Sequence, residues 1–141
     1  MGKLRRLVAA MAIGLVAVGV TATVPGAPRA LACSCVGFSD AEAYRYADVV
    51  FVATIDEIRP PAVMVSSTDT SRFIFDVSLV YKGVAQQLQT VATEASGASC
   101  GLELSGVGPF LVFAREQISA ESLDGLVPGE LVSGLCTGSR L

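Results

Sequence analysis

The sequence predicts an all-β barrel or sandwich, and three observations carry the prediction. Five short segments have strand character and are separated by turn signals. One segment, beginning near Ser39, reads as a short helix. Four cysteines spread along the chain suit a small domain cross-linked by two disulfides in an oxidising compartment.

Residues 1–32 are expected to be a cleaved signal peptide and residues 33–141 a single exported domain. Lys3, Arg5 and Arg6 form a basic head, Leu7 to Val20 carries no charge, and Ala30-Leu31-Ala32 meets the small-x-small rule for cleavage just before Cys33. The apolar run reaches membrane-spanning length only when Thr21 to Val24 are added, and Pro25 and Pro28 follow, so an uncleaved membrane helix would be short. A cysteine directly after the cut is also the mark of a lipoprotein. Against that reading, Ala30 stands where a lipoprotein signal usually has leucine, and twelve residues separate the apolar core from Cys33. A membrane is therefore a partner only if Cys33 is lipidated or the signal is kept.

The helix comes first after the cut. Ser39-Asp40-Ala41-Glu42 is a capping box, and Ala43 to Ala47 extends it to at most two or three turns. From Asp48 the period becomes two, with Val49, Phe51, Ala53 and Ile55 on one face, and this strand ends before Pro60-Pro61. Pro60 to Ser71 reads as a surface hairpin loop with room for a short strand at Ala62 to Val65. Phe73, Phe75, Val77, Leu79 and Tyr81 then alternate strictly, and Lys82-Gly83 closes that strand. Leu88 to Ala95 is a third strand, and Ser96 to Ser99 a loop that delivers Cys100. An irregular stretch leads to a buried strand, Pro109 to Arg115. Glu116 to Gly129 is a polar connection with room for one helical turn, and Glu130 to Cys136 is the final strand. Tyr44, Tyr46 and Tyr81 fall at helical and strand spacing and are expected in the core. Gly101, Gly106 and Gly108 flank no phosphate-loop lysine and read as turn glycines.

Composition excludes several kinds of function. The 109 residues from Cys33 onward hold six basic residues and all thirteen acids, a net charge of −7, so nucleic acid is not an expected partner. Histidine is absent, which removes Ser-His-Asp and Cys-His catalysis and the commonest zinc ligand. Carboxylates alone remain: Asp40, Glu42, Asp48, Asp56, Glu57 and Glu103. No spacing among them marks a catalytic pair, so they read as a solvated acidic surface, and neither an enzyme nor a cofactor is expected.

A direct Cys33–Cys35 bridge would close a strained small ring, so each of these cysteines reaches a distant partner, Cys100 or Cys136, and both pairings remain open. The closed loops are long, and chain entropy gives roughly 4–5 kcal/mol per bridge as an upper figure. Successive cysteines are separated by one, sixty-four and thirty-five residues, which does not make the paired knuckles of a structural zinc site. The two-residue gap of a redox-active pair is missing too.

Taken in order, Cys33-Ser34-Cys35-Val36, Val77 to Gly83, Ser99-Cys100-Gly101, Pro109 to Ala114 and Ser133-Gly134-Leu135-Cys136 resemble the netrin-like module, and within it the N-terminal domain of tissue inhibitors of metalloproteinases. The likeness spans Cys33 to Cys136. It implies a five-stranded closed barrel of the oligonucleotide/oligosaccharide-binding (OB) type with a short N-terminal helix, stapled by Cys33–Cys100 and Cys35–Cys136. It also implies a protein partner, an extracellular zinc metalloprotease. In family members that inhibit, the α-amine and carbonyl oxygen of the residue matching Cys33 chelate the protease's zinc, and the side chain matching Ser34 points into the pocket beside it. Cys35, Val36, Ser99 and Cys100 would complete the contact ridge, and the protein would hold no metal of its own. The sequence departs from the family in lacking a third disulfide, in having small residues at Gly97-Ala98-Ser99, and in having Gly37-Phe38 where prolines usually stand. The alternative is a non-inhibitory structural or adhesion module of the cell envelope, in which Cys-x-Cys only anchors the first segment to the barrel.

Overall fold

A short helix, α1 (Asp40–Tyr46), is the first element among the described residues, and its cap is the one read from the sequence. The Ser39 hydroxyl accepts from the Glu42 N–H, and the Glu42 carboxylate accepts from the Ser39 N–H at 2.9 Å. Hydrogen bonds from the Ser39 hydroxyl and then its backbone N–H hold the Glu42 carboxyl below its ordinary value. At the other end Lys82 donates to the carbonyl oxygens of Tyr44 at 2.9 Å, of Arg45 at 3.2 Å and of Ala47. A cation there satisfies acceptors that the helix itself leaves open and suits the negative end of its dipole. This computed structural model describes residues 33–118 and 126–141. The expected signal, residues 1–32, and residues 119–125 of the polar connection lie outside the described residues.

Five strands follow: β1 (Val49–Arg59), β2 (Thr70–Lys82), β3 (Leu88–Glu94), β4 (Phe110–Glu116) and β5 (Leu131–Val132). They close into a barrel in the order β1-β2-β3-β5-β4, with β4 pairing back onto β1. Every neighbour is antiparallel except β3 and β5. The all-β prediction therefore holds, and the form is the OB-like closed barrel rather than a sandwich. β1 and β2 run for 11 and 13 residues. Register shifts at Val50/Phe51, Val52/Ala53 and Ile55/Glu57 bend this long pair, as extra residues in one strand of a ladder do.

The core fills the barrel. Phe51, Phe75 and Phe110 are among its largest fully buried side chains, and the Phe51 and Phe75 rings meet edge to face at 5.8 Å. Each such ring contributes about 1.5–3 kcal/mol on burial. Thr93 is a fully buried polar residue, and its hydroxyl accepts from the Leu102 N–H at 2.7 Å. A second cluster lies outside the barrel, where Ala43 of α1 and its C-cap residue Ala47 cover Val50 and Phe113. This is why Val49, Val50 and Phe51 are all buried although side chains alternate along a strand. A paired Arg72 and Glu130, at 2.7 Å, ties β2 to the approach to β5.

Several expectations need correction. No strand forms at Ala62 to Val65; the segment is a loop, and Thr70 and Ser71 already belong to β2. The last strand is only two residues long, and Cys136 sits in a 3-10 turn, Leu135–Thr137, rather than in a strand. The alternation of β2 outruns the barrel, so Leu79 and Tyr81 are exposed. Tyr44 and Tyr46 are also exposed rather than core. The Tyr44 hydroxyl instead donates to the Tyr81 carbonyl at 3.1 Å, joining α1 to β2 beside the Lys82 cap.

Candidate functional site

The structure joins Cys33 to Cys100 and Cys35 to Cys136. The two bridges touch, with Cys33 Sγ 3.6 Å from Cys136 Sγ. Three chain segments therefore meet at one end of the barrel: the extended Cys33–Phe38 stretch, the loop before Cys100, and the turn holding Cys136. The Sγ atoms of Cys33, Cys35 and Cys136 lie within 4.8 Å of one another, but all three are in disulfides and offer no thiolate to a metal.

Backbone geometry holds each segment in place. Ser96 caps the 3-10 turn Gly97–Ser99, and Cys100 ends that turn in the left-handed region at φ 71°. The chain then folds back, with the Gly101 N–H on the Ser96 carbonyl at 2.9 Å, and a Cβ at Gly101 would collide with the Glu94 carbonyl oxygen. Leu102 enters the core directly afterwards and anchors the loop. From the other side, the Leu135 N–H donates to the Cys100 carbonyl at 2.9 Å. That approach brings Gly134 so near that a Cβ would lie 2.5 Å from the same oxygen. The Cys136 turn is fixed to β4 as well: the buried Ser133 hydroxyl donates to the Phe113 carbonyl at 2.8 Å, and the Ser139 hydroxyl accepts from the Phe113 N–H at 2.9 Å. The Cys-Gly and Ser-Gly-Leu-Cys runs are thus the residues that let two turns touch.

Of the residues singled out in the sequence, Ser34, Cys35, Val36 and Cys100 are exposed, while Cys33 and Ser99 are half-buried. Val36 is 81% exposed, an apolar side chain that the described residues leave uncovered. The disulfides bring all six into one neighbourhood. The sequence reading missed a seventh contributor, the β1–β2 loop. The Ser99 hydroxyl donates to the Ser67 hydroxyl, which docks that loop onto the ridge. The Asp69 carboxylate accepts from the Ser66 and Val65 N–H groups at 2.8 and 2.6 Å, and these hydrogen bonds hold its carboxyl below the ordinary range. The loop displays Val63, Met64 and Val65, all exposed. Its Ser-Ser-Thr-Asp cluster signalled a turn, but nothing in the sequence said what the turn would touch.

The acidic residues take other parts. Asp40 pairs with Arg140 at 2.8 Å, Glu57 with Arg59 at 2.7 Å, Glu42 caps α1, and Asp48 accepts from the Glu116 N–H at 2.9 Å. The Arg59 partner keeps the Glu57 carboxyl below its ordinary value. Asp56 and Glu103 are exposed. No family model matches the chain, and no curated protein matches it.

Proposed function

We propose that the protein is an exported binding module and that cleavage before Cys33 frees an α-amine which, with the Cys33 carbonyl oxygen, chelates the catalytic zinc of an extracellular metalloprotease. The observation that carries this reading is the double anchorage of the first three residues: Cys33 and Cys35 are bridged to two separate turns while Ser34 between them faces solvent.

An α-amine has a pKa of roughly 7.7–8.0, so near neutrality it sheds its proton at little cost and offers a nitrogen lone pair. Nitrogen and carbonyl oxygen of one residue close a five-membered ring on a metal. A catalytic zinc keeps one position open for water, and such a chelate would take that position. Fixing the end in advance lowers the ordering cost of binding. Ser34 is small enough to sit beside the metal, and Val36 with Val63, Met64 and Val65 supplies exposed apolar surface around it.

The test is inhibition of a panel of zinc proteases by the exported protein, with a second form carrying one extra alanine ahead of Cys33. Inhibition by the first and its loss in the second is expected, because the added residue moves the amine off the chelate ring. Proteases left untouched by the first form, or blocked equally by both, would refute the zinc reading.

A further inference from the structure

Beside α1, on the far side of the Cys35–Cys136 bridge, a groove of about 350 Å³ opens between the helix and the outer face of β4. Its existence follows from the sequence. Ala43 of the helix and its C-cap residue Ala47 face Phe113, and two methyl groups leave space where larger side chains would have filled it. Phe38 and Tyr46 rise on the outer side, their rings 5.7 Å apart and tilted by 56°, and both are about half exposed. The floor and walls are therefore apolar and aromatic.

The polar groups at its rim are one-sided. Arg115 lines the groove, and its guanidinium makes no ion pair or hydrogen bond with the described residues. Tyr46 likewise has a hydroxyl without a hydrogen bond to them. Among the described residues no acid lines the groove, although acids outnumber bases thirteen to six from Cys33 onward. Glu94 lines a smaller hollow of about 180 Å³ that also includes Arg115, yet the two form no ion pair. Arg140 lies over the Phe113 ring at 5.9 Å but is paired with Asp40. Arg115 is therefore the cation at this apolar slot that has no ion pair among the described residues, and such a site is complementary to one kind of ligand.

We infer that this groove binds a small free carboxylate with an aromatic or alkyl body: the body lies against Phe38, Tyr46 and Phe113, and the carboxylate meets Arg115. The volume is at the lower end of the roughly 300–1,000 Å³ typical of small-molecule sites, which fits a ligand of one ring and a short chain. The planar guanidinium offers paired donors to the two oxygens, and the Tyr46 hydroxyl is available as another. This groove adjoins the Cys35–Cys136 bridge, but the inference does not depend on the zinc reading.

The probes are 4-phenylbutyrate, 4-phenylbutanol and 4-phenylbutylamine, which share a body and differ in the head group, titrated into the exported protein by calorimetry and by NMR shift mapping. The carboxylate is expected to saturate one site with shifts at Phe38, Tyr46 and Arg115, the alcohol to bind about tenfold more weakly, and the amine more weakly still. Arg115→Gln, at an exposed position, is expected to reduce the carboxylate to the affinity of the alcohol while leaving the alcohol unchanged. Ala43→Leu, with its fold checked by circular dichroism, should displace both. An amine that binds as tightly as the carboxylate, an Arg115→Gln protein that binds the carboxylate unchanged, or no saturation below about 10 mM overturns the inference.

Discussion

Removing one disulfide while keeping the other tests how the ridge is held. In the reduced view each bridge closes a long loop, 67 residues from Cys33 to Cys100 and 101 from Cys35 to Cys136. The bridges are not independent, however. With Cys33–Cys100 intact, Cys35 is already joined to Cys136 by two residues back to Cys33, across the sulfur link, and thirty-six onward from Cys100. The same short circuit of about 38 residues is what Cys33–Cys100 closes when Cys35–Cys136 is intact. Chain entropy for that circuit is about 3.9 kcal/mol, whichever bridge is removed. Cys35→Ser with Cys136→Ser, and Cys33→Ser with Cys100→Ser, should therefore cost nearly the same, about 4 kcal/mol each. With a urea slope of about 1.3 kcal/mol per molar, each midpoint falls by about 3 M. Removing all four cysteines adds the free 67-residue loop, and the loss of about 8 kcal/mol reaches the whole stability of many domains this size. Equilibrium urea unfolding followed by far-UV circular dichroism reads all three. Single-bridge losses under about 1 kcal/mol, or two losses that differ by more than about 2 kcal/mol, would refute the shared-circuit reasoning.

Three further outcomes follow from single side chains. Lys82→Met strips the cation from three carbonyls at the end of α1 and should cost about 1–2 kcal/mol, seen as a lower thermal midpoint with helix signal lost first. Gly134→Ala places a Cβ 2.5 Å from the Cys100 carbonyl and should cost about 2 kcal/mol or more, whereas Gly37→Ala meets nothing within 4 Å and should stay within about 0.5 kcal/mol by the same chemical denaturation. Burial raises the Glu94 carboxyl above its ordinary 4.5. The native state thus prefers the protonated form, and the stability it contributes is full in acid and is lost as pH rises through the raised value. Glu94→Gln should accordingly melt higher than the parent at neutral pH and converge with it in acid; a gap that widens toward acid would contradict this.

Much of the barrel was legible because its signals are local. The capping box at Ser39 and the alternation from Val49 to Ile55 need only their own neighbours, and both appear where the sequence puts them. What failed depended on distant partners. Leu79 and Tyr81 continue a perfect alternation, yet they sit where β2 passes the end of the barrel and no layer covers them. Tyr44 and Tyr46 are expected inside because aromatic rings usually are, but it is Ala43 and the C-cap Ala47 that face β4, and the tyrosines fall on the outward side. The final strand stops at Val132, short of the expected Cys136. Only the hydroxyl contacts with Phe113 and the Leu135 bond to Cys100 turn the residues after it into a 3-10 segment. The β1–β2 loop could be read as a turn but not as part of the ridge, since the Ser99–Ser67 contact spans 32 residues.

Where two disulfides touch, the backbones that carry them must also come close, and this divides the ridge into residues of two kinds. Gly101 and Gly134 are fixed by main-chain contacts, since a methyl group at either would strike a carbonyl oxygen. Cys100 adopts a left-handed conformation that residues other than glycine rarely take, with its carbonyl committed to the Cys136 turn and its sulfur to Cys33. Ser34 and Val36 lie between and beyond the anchors with their side chains in solvent, and nothing in the fold constrains what they are. Exchanging them should therefore leave stability unchanged and, if the ridge binds as proposed above, alter recognition alone. A binding surface built this way can change its specificity without rebuilding its support, because the atoms that hold it rigid are backbone and sulfur, and those that would meet a partner are side chains.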